Sequence, residues 1–283
     1  MNQDELAKLI AEVRDDGPTT LDLSGKGLKY LSPGIGDLTG LTRLNLGANQ
    51  LTELPPEIGN LTSLKELNLT DNQLRELPPE IGNLTSLASL VLGHNQVLEV
   101  LAGTSDLHSL PTRPKLGNLL TKLPPEIGNL AALEELDLVS NQLTELPSEI
   151  GNLTSLSGLY IGYNQLTVLP PEIGNLVGLN WLDLSGNQLT ALPPEIGTLT
   201  ELDSLFLNDN LLTTLPTAIG RLVELIYLGI SNNRLTGIPE SIGRLTKLEE
   251  LDLSNNLLMV LPPDMDGLIN RKVADLSGNP LRL

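Results

Sequence analysis

Leucines recur at a fixed interval of 23 residues along most of the chain: Leu41, Leu64, Leu87, Leu110, Leu133, Leu156, Leu179, Leu202, Leu225 and Leu248. Carrying the phase outward to Pro18 and Arg271 gives twelve repeats, none of which gains or loses a residue. In the repeat that opens at Leu64, Leu67 and Leu69 alternate with polar neighbours. That alternation predicts a short strand with one buried face. Leu74, Leu77, Ile81 and Leu84 then supply further apolar side chains to close a coil over the same core. Pro78-Pro79 between them cannot donate to a strand ladder, so the strand has ended and the chain runs along the outside. Ahead of the first repeat, Leu6, Leu9, Ile10 and Val13 follow helical spacing. They predict an amphipathic helix over residues 3–15, laid across the first coil as a cap (residues 1–17) and ended by Gly17-Pro18.

One polar position is as regular as the leucines. Asn49, Asn72, Asn95, Asn118, Asn141, Asn164, Asn187, Asn210, Asn233, Asn256 and Asn279 all fall where the chain turns off the strand. Only the first repeat departs, with Lys26. A buried amide there can satisfy backbone groups between coils, each costing roughly 1–3 kcal/mol if left unpaired. The asparagines are therefore structural.

The pattern Leu64-x-x-Leu67-x-Leu69-x-x-Asn72-x-Leu74-x-x-Leu77-Pro78-Pro79-x-Ile81-Gly82-x-Leu84 resembles the leucine-rich repeat, and the resemblance covers residues 18 to 281. It implies an α/β solenoid, a leucine-rich repeat horseshoe with a parallel β-sheet on its concave face, occupying residues 18–283 behind the N-terminal capping helix. A capping helix followed by LPPEIGNLTSL-type units is similar to the repeat regions of bacterial Roco-family proteins. There a GTPase domain follows, but this sequence has no matching phosphate loop, so only recognition is implied. The units also resemble those of bacterial ubiquitin-ligase effectors, which need a catalytic cysteine that is absent here.

Two repeats are irregular. Residues 97–117 read VLEVLAGTSDLHSLPTRPKLG, so the repeat 110–132 has Arg113 and Lys115 in inward leucine positions and Pro111 and Pro114 within its strand. A central strand does not accommodate two prolines, nor a dry core two charges, so a distorted ladder is expected there. Read one nucleotide out of frame, residues 112–116 permit Leu-Asp-Leu-Ser, the wording of residues 182–185. The coding DNA tests for such a pair of compensating offsets. The last repeat has Arg271 and Ala274 where leucine is usual and is incomplete.

Composition narrows the function. The chain of 283 residues has 69 leucines, about 24%, yet only six aromatics, no cysteine, two histidines and a net charge of −18. Absence of cysteine rules out disulfides, a thiol nucleophile and a thiolate metal site. An acidic chain with pI ≈ 4.4 lacks the clustered cations that a nucleic acid or an anionic membrane surface requires. No apolar run is long enough to span a bilayer, and Met1-Asn2-Gln3-Asp4-Glu5 is not a secretory start, so a cytoplasmic location is expected. Asn-Leu-Thr at Asn60, Asn68, Asn83 and Asn152 is read as repeat wording rather than as a glycosylation signal. His94 and His108 have no partner nucleophile or ligand set in the sequence. Gly25-Lys26 lacks the rest of a phosphate loop, and paired acids such as Glu134-Glu135 belong to solvated strand positions. No enzyme activity, cofactor or metal is expected.

The informative residues are those on the outward face of the strands, positions 2, 3, 5, 7 and 8 of each repeat. They carry thirteen acids against three bases, a balance of −10, which favours a basic partner. They also carry five of the six aromatics: Tyr160, Tyr163, Trp181, Phe206 and Tyr227, in four consecutive repeats. Strands lie about 4.8 Å apart, so the rings can form one patch roughly 15 Å across. Exposed aromatics are enriched at the energetic centres of interfaces. The expected site is this patch rimmed by Asp183, Asp203 and Asp209, binding a protein or peptide. A regulatory or scaffold fragment of a larger signalling protein is the alternative.

Overall fold

The structure, a computed structural model, describes residues 3–14, 17–93 and 117–282. Most of the irregular stretch 97–117, with Pro111, Arg113, Pro114 and Lys115, lies outside the described residues, as do Asn95, His94 and His108. The chain forms two compact bodies, Met1–Leu143 and Thr144–Leu283.

The first body opens with α1 (Gln3–Arg14), whose Leu6 and Ile10 are buried while Leu9 and Val13 are half-buried. The helix packs on the first coil, where Ile10 reaches Gly34, and Arg14 pairs with Asp37 at 3.8 Å. Five strands follow: β1 (Thr20–Asp22), β2 (Arg43–Asn45), β3 (Glu66–Asn68), β4 (Ser89–Val91) and β5 (Glu135–Asp137). They pair in parallel, with Leu21, Leu44, Leu67 and Leu90 in register. The second body contains β6 (Gly158–Tyr160), β7 (Trp181–Asp183), β8 (Ser204–Phe206), β9 (Tyr227–Gly229), β10 (Glu250–Asp252) and β11 (Ala274–Asp275). They too pair in parallel and in sequence order. A short helix α2 (Asp266–Asn270) precedes β11. In the last coil Arg271 donates to the carbonyls of Thr246 and Leu248 at 2.7 and 2.5 Å, so the residue that replaces leucine satisfies backbone instead.

Between strands the chain makes a five-residue 3-10 turn, as at Pro56–Asn60 and Pro171–Asn175. The first proline of each Pro-Pro pair is extended (Pro55, φ −69°, ψ 146°), which delivers the second to the start of the turn, where its missing N–H is not needed. The glycine of the Ile-Gly pair lets successive turns touch. A Cβ on Gly151 would stand 2.5 Å from the Glu172 carbonyl oxygen of the next coil. Gly151→Ala is therefore expected to destabilise the chain by about 1–3 kcal/mol, as a fall in denaturant midpoint at unchanged slope.

The asparagine position performs the role its spacing implies. Asn72 Nδ2 donates to the carbonyls of Leu46, Leu69 and Thr70, and its Oδ1 accepts from Leu51 N–H at 3.0 Å. The ladder departs from the repeat arithmetic at one place. β4 pairs directly with β5, Leu90 opposite Leu136, although two periods separate them. Asn118 completes the coil that β4 begins. Its Nδ2 donates to Leu92 and Leu69 carbonyls, 26 and 49 residues back, where Asn72 reaches 3 and 26. Both separations are larger by one period of 23.

Candidate functional site: the ring-bearing face of the second sheet

The outward positions of β6–β9 form two rows across the sheet. One row runs Gly158, Trp181, Ser204, Tyr227, and the other Tyr160, Asp183, Phe206, Gly229. Small and large residues alternate in each row, so every ring has a small neighbour to lie over. Tyr160 covers Gly158, where an added Cβ would meet the ring at 3.0 Å. Trp181 sits between the two buried rings, 6.2 Å from the Tyr160 centroid and 4.9 Å from that of Phe206, in tilted contacts. One turn further along, Tyr163 lies against Gly186, whose added Cβ would be 2.7 Å from the ring.

This packing corrects the expectation of a fully exposed patch. Phe206 is 1% and Tyr160 8% exposed, while Trp181, Tyr163 and Tyr227 are half-buried. The rings fill one another's holes instead of standing out from the sheet. The face thus leaves Trp181, Tyr163 and Tyr227 half-exposed, with the Phe206 and Tyr160 rings buried against Trp181. Inside the stack, the Trp181 Nε1–H is buried with no acceptor among the described residues. Tyr30, the aromatic off this face, is 51% exposed in the first body.

The acids divide by position. At position 5, Asp22, Asn45, Asn68, Asp137, Asp183, Asp252 and Asp275 each accept the backbone N–H two residues on, at 2.8–3.0 Å. These carboxylates are turn acceptors, and Asp137, Asp183 and Asp252 are buried. Where Gly229 takes that position, Asn208 of the preceding coil accepts from Ser231 N–H at 2.9 Å instead. Position 8 is constrained too: Tyr163 (φ 56°) and Asp209 (φ 55°) are left-handed, a conformation costing about 1–2 kcal/mol outside glycine. The fold thus dictates two of the five positions that spacing alone leaves free. Asp203 is half-buried and Asp209 exposed, so of the three rim acids Asp209 faces solvent and Asp183 does not.

Burial sets the electrostatics. It pushes the Asp183 carboxyl up to about 6, against the pull of the Ser185 N–H. Burial, then the charges of Asp183 and Asp209, push the Tyr163 hydroxyl up to about 12, so the ring stays neutral. Partial burial also raises Asp209.

Parallel three-residue strands, 3-10 turns and a buried asparagine ladder define a solenoid of stacked coils with an open sheet face. The family models agree: a leucine-rich repeat region matches residues 19–113, and a leucine-rich repeat matches 131–189, 177–235 and 200–258. The chain belongs to the leucine-rich repeat proteins. No curated protein matches it. Among solved structures it is similar to the ectodomain of the Arabidopsis thaliana receptor kinase GASSHO1/SCHENGEN3 in complex with CASPARIAN STRIP INTEGRITY FACTOR 2. That match is 35% identical with a TM-score of 0.73, over 89% of this chain and 29% of that one. It is also similar to PEPR1 in the PEPR1–AtPEP1 structure, at 28% identity and a TM-score of 0.66, over 93% of this chain and 42% of the other. A Leptospira interrogans leucine-rich repeat protein, LIC12759, is 29% identical over 96% of this chain and 93% of its own, with a TM-score of 0.49. The chain thus spans less than half of either of the first two of these chains. No helix among the described residues is long and apolar enough to cross a membrane.

Proposed function

We propose that the chain is a non-enzymatic recognition module that binds a basic protein or peptide segment on the open face of the β6–β11 sheet. The observation that carries this reading is the ring cluster centred on Trp181. Half-exposed aromatics over an apolar floor, beside an exposed acid, have the composition of an interface centre. Charge supports the basic partner: Asp203, Asp209, Glu249 and Glu250 lie on the same outward positions, and no base lies on those positions of β6–β10. Similarity to a receptor ectodomain solved in complex with CASPARIAN STRIP INTEGRITY FACTOR 2 supports a recognition role.

Because Phe206 is buried, its truncation would disturb the sheet as well as the site. The cleaner test is Trp181→Ala with Tyr227→Ala, both half-exposed. The expected result is at least about tenfold weaker capture of a selected basic peptide. Unaltered affinity in a folded variant would exclude the site.

A further inference from the structure

The outer 3-10 turns of the second body repeat one wording until they change it twice. Ser148–Asn152, Pro171–Asn175 and Pro194–Thr198 carry Glu149, Glu172 and Glu195 at their second residue and Asn or Thr at their last. In Thr217–Arg221 and Glu240–Arg244 the second residue becomes Ala218 and Ser241, and the last becomes Arg221 and Arg244. Both turns therefore gain a base at their last residue; the first loses its acid, and the second carries its acid one residue earlier, at Glu240. The fold does not ask for arginine at the end of the turn. Thr198 there donates to the carbonyls of Gly174 and Glu195, which a short polar side chain suffices to do. The two altered turns abut: an added Cβ on Gly220 would stand 2.4 Å from the Ser241 carbonyl oxygen. Their arginines emerge side by side and line a groove of about 670 Å³ with Thr217, Ala218 and Ser241.

In a chain with 35 acids and 17 bases, an adjacent pair of cations would be expected to find carboxylates. Arg221 and Arg244 make no ion pair among the described residues. Glu224, on the next stretch of the coil, is committed to Lys247. Glu240 is the groove's only acid.

We propose that this basic notch binds an acidic peptide segment of a protein partner, on a surface separate from the ring cluster. The guanidinium fork is shaped for paired contact with carboxylates. Acidic side chains at alternate residues of an extended peptide lie about 6.8 Å apart on one face, a spacing suited to arginines on adjacent coils. With no glutamate at the second residue of either turn, Glu240 is the one acid of the groove set against its two arginines.

The test is titration of the intact chain with hexaglutamate at low ionic strength. Arg221→Gln with Arg244→Gln, and separately Ala218→Glu with Ser241→Glu, should each weaken binding by about tenfold or more. Arg234→Gln, which removes an exposed cation outside the groove, should not change it. Failure of the intact chain to bind hexaglutamate, or binding by either double variant equal to that of the intact chain, would overturn the proposal. Displacement of hexaglutamate by inorganic phosphate at equal charge concentration would also overturn it, by showing a free oxyanion site. A result here leaves the reading of the ring cluster untouched, since that rests on different residues and a basic probe.

Discussion

Removing residues 94–116 is expected to leave a folded chain with an unbroken repeat. The coil that β4 begins is closed by residues from 117 onward: Asn118 pairs with Leu92, Leu69 and Leu74, and the turn Pro125–Asn129 stacks on Pro79–Asn83. Joining Gly93 to Gly117 restores Leu87-x-x-Leu90-x-Leu92-x-x-Asn118 at the spacing of every regular repeat. The shortened chain should keep its circular dichroism and unfold cooperatively within a few degrees of the parent. Asn118→Ala should behave in the opposite way. It leaves the buried Leu74 N–H without its acceptor, at roughly 1–3 kcal/mol, and takes one donor each from Leu69 O and Leu92 O, which keep Asn72 and Asn141. A loss of about 2 kcal/mol or more is expected by denaturant unfolding. A shortened chain that fails to fold, or an indifferent Asn118→Ala, would contradict the direct β4–β5 pairing.

Asp183→Asn is expected to stabilise the protein at neutral pH. The carboxyl moves from its ordinary value of 3.8 to about 6 on folding. The folded state therefore holds that proton more tightly than the unfolded chain does. Its stabilising contribution is complete below about pH 4 and is lost as pH rises through about 6. Above that window the buried charge costs roughly 3 kcal/mol. Asparagine keeps the acceptor for Ser185 N–H, as Asn45 and Asn68 do at equivalent positions. Denaturant midpoints of the variant should exceed the parent's at pH 7, converge with them at pH 4, and show less pH dependence between. A variant less stable at pH 7 would show that the carboxylate has a partner the Ser185 contact does not account for.

The fold was legible because each apolar position serves one purpose in every coil. Leu67 and Leu69 face inward, Pro78-Pro79 ends the strand and Gly82 permits the turns to stack, repeat after repeat. Spacing could not resolve the passage from β4 to β5, since Asn95 and Asn118 both satisfy it. Only the hydrogen bonds distinguish a coil closed by Asn118. The location of the ring cluster was also legible, because a solenoid filled with leucine has no inward place for Trp181 or Phe206. Its degree of exposure was not. That depends on which residues stand opposite across strands, and the small residues Gly158, Ser204 and Gly229 become meaningful only once register is known. Asp183 illustrates the same limit: its spacing marks an outward residue, but the acceptor role at position 5 turns it back into the sheet.

The central claim is that the ring-bearing face of strands β6–β9 binds a basic partner through Trp181. The most direct measurement is selection of random displayed peptides on the intact chain, followed by titration of the enriched peptide against the parent and Trp181→Ala. The account predicts enrichment of Lys and Arg beside an apolar residue and at least about tenfold weaker binding to the variant. Failure to enrich any basic peptide, or equal affinity of the enriched basic peptide for a folded Trp181→Ala chain, would contradict it.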